Sequence, residues 1–366
     1  MVDSGKRKSN DRSTLFALLA LIGLVSVTAL GAFMLYHQNI KQLTTTDSNK
    51  RDETPTSSPQ KQQKTDGKLP SRRKKISHDQ LEEGTQFSIG YHKTEENLVH
   101  IVDQVIRDRK NKIAVIRNLL VVDSPGIVAT QARLLIPKTL PTVVNTSDWQ
   151  LDFTYLNADY LRVLMAAGRA LGVFNSSKKL VQALVIGLGG ASISTYLRHA
   201  TENVNVTAVE IDASMVEIAK KYFGFIEDER QHCVVDDGVN FIRECVRKGE
   251  KFDVVILDAC KNVIELVEAP VKAFLESNAV QLMSQVIAKD GVLLINHLAI
   301  GVGPAPYVTV QKLFGEFFEG CMHFSVPATV NKAIVCVKRH SQYKYMQSQQ
   351  FQSNMHKYFD ELSSNA

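Results

Sequence analysis

The sequence predicts an open, doubly wound α/β sheet over its C-terminal half. Short unbroken runs of Val, Ile and Leu recur at strand length, amphipathic helical stretches separate them, and the first run ends in a glycine-rich turn. Runs that are apolar on both faces belong in a parallel sheet covered by helices. Strands alternating with helices make the crossover units of such a sheet.

The strands are "ALVIG" (183–187), "NVTAVE" (205–210), "HCVV" (232–235), "FDVVIL" (252–257) and "GVLLIN" (291–296). Between the second and third, "ASMVEIAKKYF" sets Met215, Ile218, Ala219 and Tyr222 on one helical face; between the third and fourth, "VNFIRECVRKG" does the same with Phe241, Cys245 and Val246. A helix-like "YVTVQKLFGEFF" follows the fifth strand. The segments "MHFSVP" and "KAIVCVKR" are then only a few residues apart, which permits a hairpin and an antiparallel strand within the sheet.

Ligands of such sheets bind at the carboxyl ends of the strands, so the residues there are the candidates. Gly187, Gly189 and Gly190 follow the first strand and allow a tight turn with close backbone approach. Glu210 ends the second strand, where a carboxylate accepts both hydroxyls of a ribose. Asp236 and Asp237 follow the third strand, Asp258 the fourth and His297 the fifth. Each has a structural alternative: Asp237 as a helix cap, Asp258 as a turn residue, Glu210 as an exposed strand end, His297 as a packed histidine. The glycine turn combined with acids after three successive strands points to an adenosine ligand. A dinucleotide fingerprint ends in Gly or Ala, and Ser192 stands there instead. S-adenosylmethionine has no phosphate and needs no phosphate cradle.

The words "LVIGLGG", "AVEIDASMVEIAKKYFGF", "DDGVNFI" and "FDVVILDA" resemble the seven-stranded S-adenosylmethionine-dependent methyltransferases, in their spermidine-synthase-like branch. Within it they resemble the C-terminal domain of the methyltransferase-like enzymes acting on elongation factor 1-alpha. The resemblance runs from about Leu151, beginning with "LDFTYLNADYLRVLMAAGRAL", to Val337. It implies a Rossmann-like methyltransferase sheet with S-adenosyl-L-methionine as cofactor. It places the Gly187–Gly190 turn under the methionine part, Glu210 on the ribose, Ile211 on the adenine, Asp237 at the exocyclic amine, and Asp258 facing the sulfonium. Asp258 is the catalytic candidate, as an acid that helps deprotonate an amine acceptor.

Departures separate the chain from the aminopropyltransferases of that branch. Their glycine turn carries an acid, whereas Ala191 follows Gly190 here with no acid in the turn. Their second aspartate after strand four is Lys261, a poor proton acceptor that repels a polyamine. Tyr155, Leu156 and Asn157 replace the tyrosine, histidine and glutamate of the preceding helix. The expected function is methyl transfer to an unknown acceptor. The alternatives are a membrane-tethered pseudoenzyme or interaction module on the same fold, and aminopropyl transfer.

The chain divides into a basic tail (1–13), an apolar segment (14–36), a linker (37–79), a small β-rich region (80–150), the methyltransferase domain (151–340) and a helical or disordered tail (341–366). The segment "TLFALLALIGLVSVTALGAFMLY" has no charge; at about 1.5 Å per residue it would span about 35 Å, against about 30 Å of hydrocarbon. It reads as a single transmembrane helix of signal-anchor type, with a cleaved signal peptide as the rival. The linker, rich in Lys, Ser, Thr, Gln and Pro, reads as a disordered tether. Lys6, Arg7, Lys8 and Arg12 before the span, with sequons at Asn145, Asn175 and Asn205, favour a cytoplasmic N-terminus and a lumenal enzyme domain. Electrophoretic mobility before and after endoglycosidase tests that orientation.

The net charge of +5 lies outside the folded part: about +2 falls in residues 1–40, about +5 in 41–79 and about −2 in the remainder. A near-neutral folded part carries no footprint for a phosphate backbone, so nucleic acid is not an expected partner. The expected partners are the membrane, through residues 14–36, the methyl acceptor, and a second copy as candidate homodimer. The five cysteines, Cys233, Cys245, Cys260, Cys321 and Cys336, lack CxxC spacing and read as buried thiols, with neither a disulfide framework nor a metal site.

Overall fold

The computed structural model describes residues 81–364, apart from 125–126, 142, 175–179, 261–266, 300–305 and 328. The segments at 14–36 and 37–79, Lys261 and the sequon at Asn175 lie outside the described residues. Among the described residues no helix is long and apolar enough to cross a membrane.

The first four strands, β1 (Gln86–Lys93), β2 (Leu98–Arg107), β3 (Ile113–Val121) and β4 (Val128–Leu134), form an antiparallel sheet in sequential order. Helix α1 (Asp159–Ala170) follows it. The second sheet begins with β5 (Val181–Ile186), α2 (Ser192–Ala200), β6 (Val204–Glu210), α3 (Ala213–Tyr222), β7 (Gln231–Val235), α4 (Gly238–Lys248) and β8 (Phe252–Leu257). It continues through a short β9 (Val267–Ala269), α5 (Ser277–Val286), β10 (Ile287–Ala299), α6 (Pro306–Gly315), β11 (Gly320–Ser325) and β12 (Lys332–Val337). Helices α7 (His340–Met346) and α8 (Gln349–Ser364) complete the described chain.

The strand order is β11-β12-β10-β8-β5-β6-β7, with β9 attached to β10. From β10 to β7 all pairings are parallel, while β12 runs antiparallel to both β10 and β11. The hairpin read from the tail sequence thus supplies the antiparallel strand. Ala183 to Ile186 and Val254 to Leu257 are all buried, with one apolar cluster on each face of the sheet.

The N-terminal sheet is joined to this layer by polar contacts. Arg117 makes a two-point ion pair with Asp103, both buried, and also donates to the carbonyls of Tyr222 at the end of α3 and of Thr146. Of the two described sequons, Asn145 lies on an exposed loop and Asn205 lies within β6.

One expectation is corrected. Cys321 and Cys336 are disulfide-bonded, and of the reduced thiols expected to be buried only Cys245 is so, Cys233 being half-buried and Cys260 exposed. The two cysteines are direct register partners across β11 and β12, which places their Cβ atoms together although they are 15 residues apart in sequence.

Candidate functional site

The carboxyl ends of the parallel strands open onto a cleft of about 360 Å³, within the usual range for a small-molecule site. The turn after β5 forms one wall, with left-handed backbone at Gly187 (φ +90°), Gly189 (φ +51°) and Ala191 (φ +64°). Gly187 also lets the ends of β5 and β8 touch: a Cβ there would lie 2.6 Å from the carbonyl oxygen of Asp258.

The N–H groups of this turn are engaged within the protein. Leu188 and Gly189 donate to Glu210 Oε2 at 2.9 and 3.3 Å, Gly190 donates to Thr130 Oγ1 at 2.8 Å, and Ala191 donates to the Leu188 carbonyl. The N–H groups of Leu188 to Ala191 are thus not free to cradle a phosphate. The Asp212 N–H donates to Glu210 Oε1 at 3.1 Å. Glu210 is thus fixed at both oxygens and keeps lone pairs for donors on a ligand.

Asp236 and Asp237 line the next part of the cleft, and Ile211, 64% exposed, lies beside them. Asp237 caps α4, accepting from the Asn240 N–H at 2.9 Å, and its own N–H donates to Asp236 Oδ1. The cap uses one oxygen of Asp237.

At the far end stands Asp258. Its Oδ2 accepts from the Tyr160 hydroxyl of α1 at 3.0 Å, and its Oδ1 accepts from Asn296 Nδ2 of β10 at 2.7 Å. Burial raises its pKa to about 6 against the two hydrogen bonds, which pull the other way. Asn296 in turn accepts from Asn331 Nδ2 at 2.9 Å. The Tyr160 phenol is pushed well above its ordinary value by burial and by the Asp258 charge, so it stays a donor.

The structure brings Gly187, Gly189, Glu210, Ile211, Asp237 and Asp258 to one cleft. Gly190 instead turns its Cα toward β4: a Cβ there would lie 2.4 Å from Thr130 Cγ2. His297 is buried outside the lining, with Nδ1 3.0 Å from the Ala269 carbonyl and its pKa lowered by burial. Its neighbours Asn296 and Leu298 line the cleft instead, as the alternation of a strand requires. Sequence reasoning missed Tyr160, Asn296 and Asn331 as site residues, and also the wall that Thr130 and Gln131 contribute from β4. Among the described lining residues there are four carboxylates, Glu210, Asp236, Asp237 and Asp258, and no Lys, Arg or His. The cleft suits a cationic occupant.

This strand order, with antiparallel β12 and a cleft at the parallel strand ends, defines the Rossmann-like fold of the seven-stranded methyltransferases. The chain belongs to the spermine/spermidine synthase domain family, whose model matches residues 171–360, just over half of its length. It is 25% identical over 243 residues to the eEF1A lysine and N-terminal methyltransferase homolog of Drosophila melanogaster, covering 66% of this chain and 35% of that protein. It is 26% identical over 188 residues to the eEF1A lysine and N-terminal methyltransferase of Homo sapiens, covering 46% of this chain and 26% of that protein. The chain thus spans about a third or less of these curated relatives. Among solved structures, human methyltransferase-like protein 13 in complex with SAH is similar at 21% identity and a TM-score of 0.49, covering 56% of this chain and 90% of that one.

Proposed function

We propose that this chain is an S-adenosylmethionine-dependent methyltransferase whose acceptor is an amine on a protein. The observation that carries the reading is a cleft whose described lining holds four carboxylates and no cation, with Glu210 pinned by the glycine turn at the end of β6. The relatives are named for methylating lysine and N-terminal groups, both amines.

The residues present fit the cofactor. Glu210 would hold the ribose hydroxyls, Ile211 would cover one face of the adenine, and Asp237 would receive its amine. When bound, S-adenosylmethionine supplies an electrophilic methyl group on a sulfonium. The chain's contribution is to hold the reacting groups in line and exclude water, which supplies much of the barrier reduction in such displacements. An ammonium has no lone pair to attack with, so the acceptor must lose a proton. Asp258, ionised above about pH 6, is the group in the cleft placed to accept it.

Aminopropyl transfer fits less well. At Gly190 the Thr130 side chain occupies the space of any Cβ, and Ala191 is 1% exposed within an apolar cluster. Neither turn position can aim an acid into the cleft. The proposal includes a membrane tether at residues 14–36 with a lumenal catalytic unit; the acceptor is then a lumenal protein amine and not the elongation factor itself.

The test is incubation with methyl-labelled S-adenosylmethionine and membrane or soluble protein fractions. Label is expected in protein in an alkali-stable, N-methyl form, and to be lost with Asp258→Ala. Labelled spermidine formed from putrescine and decarboxylated cofactor, without labelled protein, would replace the proposal with aminopropyl transfer.

A further inference from the structure

We propose that Asn296 and Asn331 are positioning residues that hold the Asp258 carboxylate toward the transferable group, with Asn331 delivered by the β11–β12 hairpin. This rests on the proposed function.

The hydrogen bonds run one way. An ionised carboxylate only accepts, so Asn296 must turn its Nδ2 to Asp258 Oδ1 and its Oδ1 to the other side. That oxygen then meets Asn331, which must also present its Nδ2. Tyr160 donates to the second carboxylate oxygen. Donors from α1 and β10 therefore converge on one recessed acid, and the hairpin's Asn331 backs the β10 amide, so that the two amides relay in a single direction.

The register explains how Asn331 reaches this place. Asn296 on β10 is paired with Ala333 on β12, and Asn331, two residues before Ala333, shares its face. Asn331 is half-buried and lines the cleft with Asn296 and Asp258. Two neutral amides at this point favour the charged carboxylate without adding a cation that would repel an amine acceptor. Among the described residues, the titratable side chain bonded to the carboxylate is Tyr160, whose own surroundings include Cys260, and the phenol is held in its protonated form by burial and by Asp258. The Asn296 bond opposes the effect of burial on Asp258, so its loss raises the acid's pKa.

The experiment uses two probes of the full chain and needs no acceptor. S-adenosylhomocysteine lacks the transferable group; sinefungin carries an ammonium in its place. The ratio of their dissociation constants is measured by calorimetry from pH 4.5 to 8. For the wild type the ratio is expected to shift in favour of sinefungin by about tenfold as Asp258 ionises, the size of a charge-assisted hydrogen bond. Asn296→Ala is expected to move the midpoint up by about one pH unit. Asn331→Ala and Tyr160→Phe move it in the same direction by a smaller step. Should Asn296→Ala not fold, the two milder variants carry the test. A midpoint that stays at the wild-type value in both Asn331→Ala and Tyr160→Phe overturns the proposal. A wild-type ratio independent of pH, with both probes bound, overturns it too while leaving cofactor binding intact. Failure of the wild type to bind S-adenosylhomocysteine overturns the functional reading itself.

Discussion

Replacing Asp258 by asparagine is expected to stabilise the protein above neutral pH while removing the proposed methyl transfer. In the folded chain the acid has a pKa of about 6 against an ordinary 3.8. A shift of about two units at about 1.4 kcal/mol each is a penalty of about 3 kcal/mol for holding the carboxylate ionised in the cleft. The folded state binds this proton more tightly than the unfolded chain. Stability from this group therefore falls as pH rises from about 4 to about 6, and the full penalty persists above that window. Asparagine is neutral and of the same shape, but it offers one acceptor where Tyr160 and Asn296 both donate. The mismatch costs about 1 kcal/mol, leaving a net gain of about 1–2 kcal/mol. For a domain of this size that raises the melting temperature by roughly 2–8 °C. Thermal unfolding of both proteins at pH 8 and pH 4.5 measures it. A gain at pH 8 that vanishes at pH 4.5 is expected. A variant that melts at or below the wild type at pH 8, or that differs equally at both pH values, refutes the reasoning.

Gly187→Ala is expected to destabilise the chain by about 2–4 kcal/mol, because the new Cβ meets the Asp258 backbone at 2.6 Å in a left-handed conformation. Chemical denaturation measures the loss, and a change within about 0.5 kcal/mol would mean that the two strand ends are not so closely joined. Alkylation under denaturing, non-reducing conditions is expected to modify Cys233, Cys245 and Cys260 and to spare Cys321 and Cys336 until a reductant is added. Peptide mass spectrometry reads the outcome, and equal labelling of all five counts against the cross-strand bond.

The parallel sheet was legible because its strands are buried on both faces and so carry no alternation: "ALVI" and "VVIL" can be little else. The strand ends gave Glu210, Asp237 and Asp258 for the same reason, since topology alone sends those positions to one cleft. Asn296 was hidden by its context. It closes the apolar run "GVLLIN" next to a histidine, and only the pleat shows that the asparagine faces the cleft while His297 faces away. Tyr160, Thr130 and Asn331 come from α1, β4 and a hairpin, elements whose local sequence says nothing of what they pack against. The Cys321–Cys336 bond depends on hairpin register, which a slip of one residue would undo. Composition could not show it, because an odd number of cysteines without a spacing motif reads as thiols.

S-adenosylmethionine is expected to be held in the cleft through Glu210. Calorimetric titration of the full chain with S-adenosylmethionine, beside a folded Glu210→Ala variant, tests it most directly. Saturable binding by the wild type, weakened at least about tenfold in the variant as expected for the loss of charge-assisted hydrogen bonds, is the predicted result. No binding by the wild type, or equal binding by both, would contradict it.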